Sequence, residues 1–82
     1  MPVLLFSEKF EKSFSNVREE KIRRQIWNKI VELETRAPLG KKLKGSPFWS
    51  VRVNKYRIIY QIKDIEIIIA DILERKHNYR EL

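Results

Sequence analysis

The stretch Trp49–Tyr79, WSVRVNKYRIIYQIKDIEIIIADILERKHNY, decides the fold. Val51 and Val53, then Tyr56, Ile58, Tyr60 and Ile62, fall on one side of an alternating pattern, with Arg52, Arg57 and Gln61 on the other. A period of two is that of strands buried on one face. Asn54-Lys55 reads as a two-residue turn, because asparagine tolerates the left-handed backbone that a tight hairpin needs. That turn pairs Val53 with Tyr56 and sets Arg52 directly opposite Arg57 on the outer face. Like charges facing each other across a ladder cost up to about 1 kcal/mol. The rung makes sense where an anion sits between the two guanidiniums.

Downstream, Glu66 to Leu73 is nearly all apolar, as expected of a central strand covered on at least one face, and Glu74 to Tyr79 leaves the sheet as a polar tail. Parity does not fix whether Arg75 joins Arg52 and Arg57, since one residue more or less in the turn at Asp64 flips the whole strand. Upstream, Val3–Phe6 suits a strand and Ser7 a helix cap. Phe6, Phe10 and Phe14 recur at helical spacing and form a core face. Asn16 with Glu19 reads as a capping box opening a second helix, whose apolar stripe is Ile22, Ile26, Trp27, Ile30 and Leu33. Arg23, Arg24 and Lys29 lie outside the stripe, as a solvated face. Ala37-Pro38-Leu39-Gly40 ends the helix, and Lys41 to Pro47 is a basic loop. Of Phe48 and Trp49, one closes the core and the other is exposed for stacking.

The order strand, helix, helix, strand, strand, strand implies a single α+β domain over residues 1–82. It is a small antiparallel sheet of three or four strands with a two-helix hairpin packed on one face. The opposite face carries Arg52 and Arg57.

The net charge is +7, and its placement matters more than its size. Between Lys41 and Lys63 there are seven basic residues and no acid, while the rest of the chain holds eleven of each sign. The excess lies in one segment, as in an electrostatic footprint for a polyanion; nucleic acid is the expected partner. Lys41, Lys42, Lys44 and Lys55 are the expected nucleic-acid contacts beside the arginines. With no cysteine there is no disulfide or thiol chemistry. One histidine and no paired carboxylates on a common face argue against a metal centre, and no cofactor is expected. Apolar runs are too short to cross a bilayer and no signal-peptide pattern opens the chain, so a cytoplasmic protein without membrane partners is expected.

Leu43-Lys44-Gly45, Arg52-Val53, Tyr56-Arg57-Ile58-Ile59-Tyr60, Ile72, and Arg75 with Tyr79 four residues on resemble the RelE/ParE superfamily of toxin–antitoxin toxins. The likeness spans nearly the whole chain. It implies a RelE-like toxin of a type II module: a ribosome-dependent messenger-RNA endonuclease that blocks translation without metal. A cognate RelB-like antitoxin with an acidic helical segment would neutralise it. In that family the ribose 2′-hydroxyl attacks the adjacent phosphate. The matching catalytic positions are Arg52, Arg57, Arg75 and Tyr79, with Lys44 as an RNA contact. Glu74 stands where many relatives have histidine, and Ser50 where some have lysine, which leaves Glu74 and His77 as candidates for proton transfer. Alternatives are a ParE-type inhibitor of DNA gyrase that does not cleave RNA, and a catalytically degenerate relative.

Overall fold

In the computed structural model, which describes residues 2–74, the chain runs β1 (Val3–Phe6), α1 (Glu8–Ser15), α2 (Glu20–Arg36), β2 (Lys41–Lys42), β3 (Phe48–Val53), β4 (Tyr56–Lys63) and β5 (Glu66–Glu74). The five strands form one sheet in the order β1-β5-β4-β3-β2. The expected three or four strands become five because Lys41-Lys42, read as loop, pairs with Ser50 and Trp49 of β3. The sheet is not wholly antiparallel either. β1 runs parallel to β5, Val3 opposite Glu66 through Phe6 opposite Ile69. The two helices carry the chain from β1 to β2 at the far edge of the sheet, and β3 and β4 bring it back to β5 beside β1.

The central hairpin forms as its alternation dictates. Val53 pairs with Tyr56, Arg52 with Arg57 and Val51 with Ile58. Asn54 takes the left-handed backbone, φ 58°, and its Oδ1 accepts from the Lys55 N–H at 2.8 Å. Asp64, φ 55°, opens the second tight turn, so Lys63 pairs with Glu66. The register then shifts: Tyr60 faces Ile69 but Ile59 faces Asp71. Ala70 is the extra residue of a β-bulge, which keeps both Ile69 and Ile72 in the core although they are three apart.

One face of the sheet packs under the helices. Ile26, Ile30 and Leu33 of α2 meet Val51, Val53, Ile58, Tyr60, Ile67, Ile69 and Ile72, with Phe10, Val17 and Ile22 completing the cluster. Ser7 caps α1 as its side chain suggests: its Oγ accepts from the Phe10 N–H at 3.0 Å and donates to the Ala70 carbonyl at 2.5 Å, tying the helix to β5.

The capping box does not form. Asn16 ends α1, its N–H donating to Ser13 at 3.1 Å, and α2 begins at Glu20 with no side-chain cap. Arg23 joins the two helices in another way. It donates to the carbonyls of Phe14 and Val17 at 2.6 and 3.0 Å and lies over the Phe14 ring, so it is a joint between the helices rather than a solvated cation. Trp27 is 44% exposed, at the margin of the apolar stripe, stacked on Phe6.

The Tyr60 hydroxyl donates to the Leu39 carbonyl at 2.5 Å and accepts from the Leu39 N–H at 2.8 Å, pinning the link between α2 and β2. Burial raises the phenol above its ordinary value of 10.0, and its hydrogen bond to Leu39 pulls the other way. The fold therefore favours the neutral form. This contribution is fully present below about pH 10 and is lost as pH rises through the higher folded value. Tyr60→Phe is expected to cost about 1–2 kcal/mol at neutral pH. It should also flatten the decline of the urea midpoint above pH 10, measured by circular dichroism.

Candidate nucleic-acid interface

Cross-strand partners share a face, so the register maps the side of the sheet that the helices leave uncovered. Its first rung is Arg52, Arg57 and Leu73; its second is Lys41, Ser50 and Ile59, whose β5 partner Asp71 is the exception, turned by the bulge toward Ser13 of α1; its third is Phe48, Gln61, Ile68 and Leu5. The choice between Phe48 and Trp49 is thereby settled. Trp49 faces the core and stacks on Tyr60 with centroids 6.5 Å apart, while Phe48 lies on the opposite face beside Gln61.

The hairpin turn places Arg52 and Arg57 in direct register, where Cα atoms of an antiparallel pair lie about 4.5–5.5 Å apart. Arg52 is exposed and, among the described residues, pairs with no carboxylate. Arg57 is half-buried between Arg52 and Leu73. Ser50 and Ile59 of the second rung are closed to solvent, 5% and 0% exposed. The two guanidiniums thus rise from a firm floor.

Lysines border this rung unevenly. Lys41 pairs with Ser50 and so shares the arginine face, whereas Lys42 pairs with Trp49 and belongs to the other side. Lys44 sits in the turn between β2 and β3, which Gly45 in the left-handed backbone and a 2.9 Å bond from the Leu43 N–H to the Phe48 carbonyl hold closed. Lys55, at the hairpin tip, lies 3.7 Å from Glu19, with both side chains exposed. Sequence alone did not show that Lys41 joins the arginines; the signal was the hairpin turn around Gly45.

The proposed proton carriers divide. Glu74 pairs with Tyr56, which packs on the helix side, so the register sets this carboxylate on the face opposite Arg57. The structure therefore brings Arg52, Arg57 and Lys41 together and does not bring Glu74 to them. Arg75, His77 and Tyr79 lie outside the described residues. No group of three or more histidine, cysteine or carboxylate side chains suited to a metal occurs among the described residues.

The sequence matches the family described as ParE toxin of type II toxin–antitoxin system, parDE, over residues 4–79. The chain belongs to this toxin family. A chain of the RelB–RelE antitoxin–toxin complex from Methanococcus jannaschii is 31% identical to the toxin. The match covers 88% of this chain and 91% of that one, at a TM-score of 0.74. The isolated E. coli RelE toxin shares the fold at 21% identity, covering 96% and 89%, with a TM-score of 0.81. The chromosomal ParDE system of P. aeruginosa does so at 16%, covering 90% and 96%, with a TM-score of 0.77. A search of curated proteins finds no significant match. The toxin is thus a RelE/ParE-superfamily member of a type II system, and its α+β architecture is that of the RelE structures.

Proposed function

We propose that this toxin is a ribosome-dependent messenger-RNA endonuclease that blocks translation and is neutralised by a cognate RelB-like antitoxin. The observation that carries the reading is the in-register pair Arg52–Arg57 on the helix-free face, with Lys41 on the next rung. A rung that costs stability in the free chain is offset when a phosphate bridges it. The 31% identity to the Methanococcus jannaschii complex supports the RelE side of the superfamily.

In the reaction the 2′-oxygen bonds to phosphorus and the bond from phosphorus to the 5′-oxygen breaks, leaving a cyclic phosphate. A base takes the 2′-proton and an acid supplies one to the departing oxygen. Arg52 and Arg57 suit the phosphate. Their charge is permanent, their donor forks match its oxygens, and both favour the negative charge that grows in the transition state. For the same reason they are poor proton carriers. With Glu74 on the far face, proton transfer falls to Tyr79 or His77, and Arg75 adds a third cation.

Isolated RNA binding is expected to be mostly electrostatic. With Lys41, Lys44, Arg52 and Arg57 each neutralising one phosphate, the logarithm of affinity falls with that of salt at a slope of about −2.8 for single strands. Lys44→Ala should lessen the slope by about 0.7, read by fluorescence anisotropy across a salt series.

The second reading is a ParE-type gyrase poison, favoured by the description of the matching family. Primer extension on translating ribosomes after induction separates the two. New 5′ ends within messages support the RNase. Intact message accompanied by DNA breaks supports the gyrase poison.

A further inference from the structure

On the side of the sheet away from the arginine rung, a cavity of about 390 Å³ opens between α1 and the ends of β4 and β5. Lys9, Ser13, Asn16, Tyr56, Asp71 and Glu74 supply its polar lining. Asp71, brought to α1 just past the bulge at Ala70, is only 2% exposed and is the one carboxylate so deeply buried among the described residues. Its Oδ1 accepts two hydrogen bonds, from the Ser13 hydroxyl and the Ile72 N–H, each at 2.7 Å. Its Oδ2 accepts none. Beside that oxygen stands the Lys9 ammonium at 3.6 Å, too far for a hydrogen bond, on a side chain that is 69% exposed.

The fold uses one oxygen of this carboxylate and leaves the other idle. An asparagine would accept the same two bonds without carrying a charge into the interior, and an underpaired buried charge is a cost to the isolated chain. A cation that enters the cavity and donates to Oδ2 offsets that cost. We infer that the cavity receives the guanidinium of an arginine carried by a partner polypeptide, which displaces Lys9 from Asp71.

The chemistry of the lining selects the group. Guanidinium is weakly hydrated and spreads its donors in a plane, so one N–H serves Oδ2 while others meet Glu74 and the Asn16 amide along a wall formed by Tyr56. A divalent ion would find two carboxylates only and the Lys9 ammonium beside the deeper one. In a chain of net charge +7, this acidic recess gives a basic partner residue a place to land away from the cationic face. The inference does not depend on what happens to RNA on that face.

The test is an NMR titration of the isolated, isotope-labelled chain with acetyl-arginine amide. Saturable shifts are expected at the amides of Ser13, Asp71, Ile72 and Glu74, with a Kd on the order of 1 mM. Acetyl-citrulline amide, of nearly the same shape without the charge, should give none. Lys9→Ala removes the competing ammonium and should tighten binding about threefold, the size expected of an exposed ion pair. Asp71→Asn should weaken it about tenfold or more. If that variant fails to fold, Glu74→Gln, which lines the rim, should still weaken binding about threefold. The inference is overturned by the absence of saturable shifts in both the wild type and Lys9→Ala. An equal response to the citrulline probe, or tighter binding of free L-arginine than of the capped form, overturns it as well.

Discussion

Arg57→Ala is expected to lower messenger cleavage on translating ribosomes about 100- to 1000-fold, the usual loss when one charge-stabilising donor is withdrawn from a transition state. Arg57 stands in the middle of the rung, half-buried, with Arg52 on one side and Leu73 on the other, so its fork is held more firmly than that of the exposed Arg52. Its backbone pairs and the core-facing neighbours Tyr56 and Ile58 are untouched, so far-ultraviolet circular dichroism and the thermal transition should persist. Arg57→Lys keeps the charge but not the fork, and should fall between the two. Arg52→Ala, at the exposed end of the pair, should lose activity while stability holds or rises by a few tenths of a kcal/mol, about what a like-charge rung costs. Wild-type cleavage by Arg57→Ala, measured by primer extension, would remove the basis for the site.

Gly40→Ala is expected to cost about 3 kcal/mol of stability, more than the same change at Gly45. Gly40 sits at φ 84°, and a Cβ there would lie 2.1 Å from the Ser50 carbonyl oxygen and 2.8 Å from the Val51 Cα. Both are backbone atoms of β3, and neither can turn aside as a side chain would. The residue before it, Leu39, is held by the Tyr60 hydroxyl, so the connector cannot shift to make room. For a domain of this size the loss corresponds to a fall of about 12–24 °C in Tm. Gly45 is the control. It has φ 71° but open space around it, so Gly45→Ala meets only backbone strain and should cost about 1 kcal/mol. Equal Tm values for the two variants would show that the close approach of Gly40 to β3 does not matter.

How much the sequence disclosed depends on how local each signal is. The arginine rung could be read because Asn54-Lys55 fixes a register and everything on the hairpin follows from it by parity. The strand at Lys41-Lys42 could not, since two residues carry no period and their partners lie seven and nine positions away. Parity also broke at Ala70, where the bulge sets two core isoleucines three positions apart and puts Asp71 against α1. The pair Asn16 and Glu19 matched a helix-start pattern, yet Asn16 closes the preceding helix, because the junction is too short for both uses. Of the candidate site, Arg52 and Arg57 stood where expected and Lys41 joined them. Glu74 did not, since its side of the sheet was set by that same irregularity.

The two margins of the sheet differ in a way that bears on handling the toxin. At one, the short β2 carries Lys41 and Lys42, and charge of this kind repels an incoming strand. At the other, among the described residues, β1 bonds to β5 on one side only and shows Val3 and Leu5, 44% and 39% exposed, with no charged residue along its length. An edge of that sort is a template for strand-to-strand association, so aggregation should start there and grow with protein concentration.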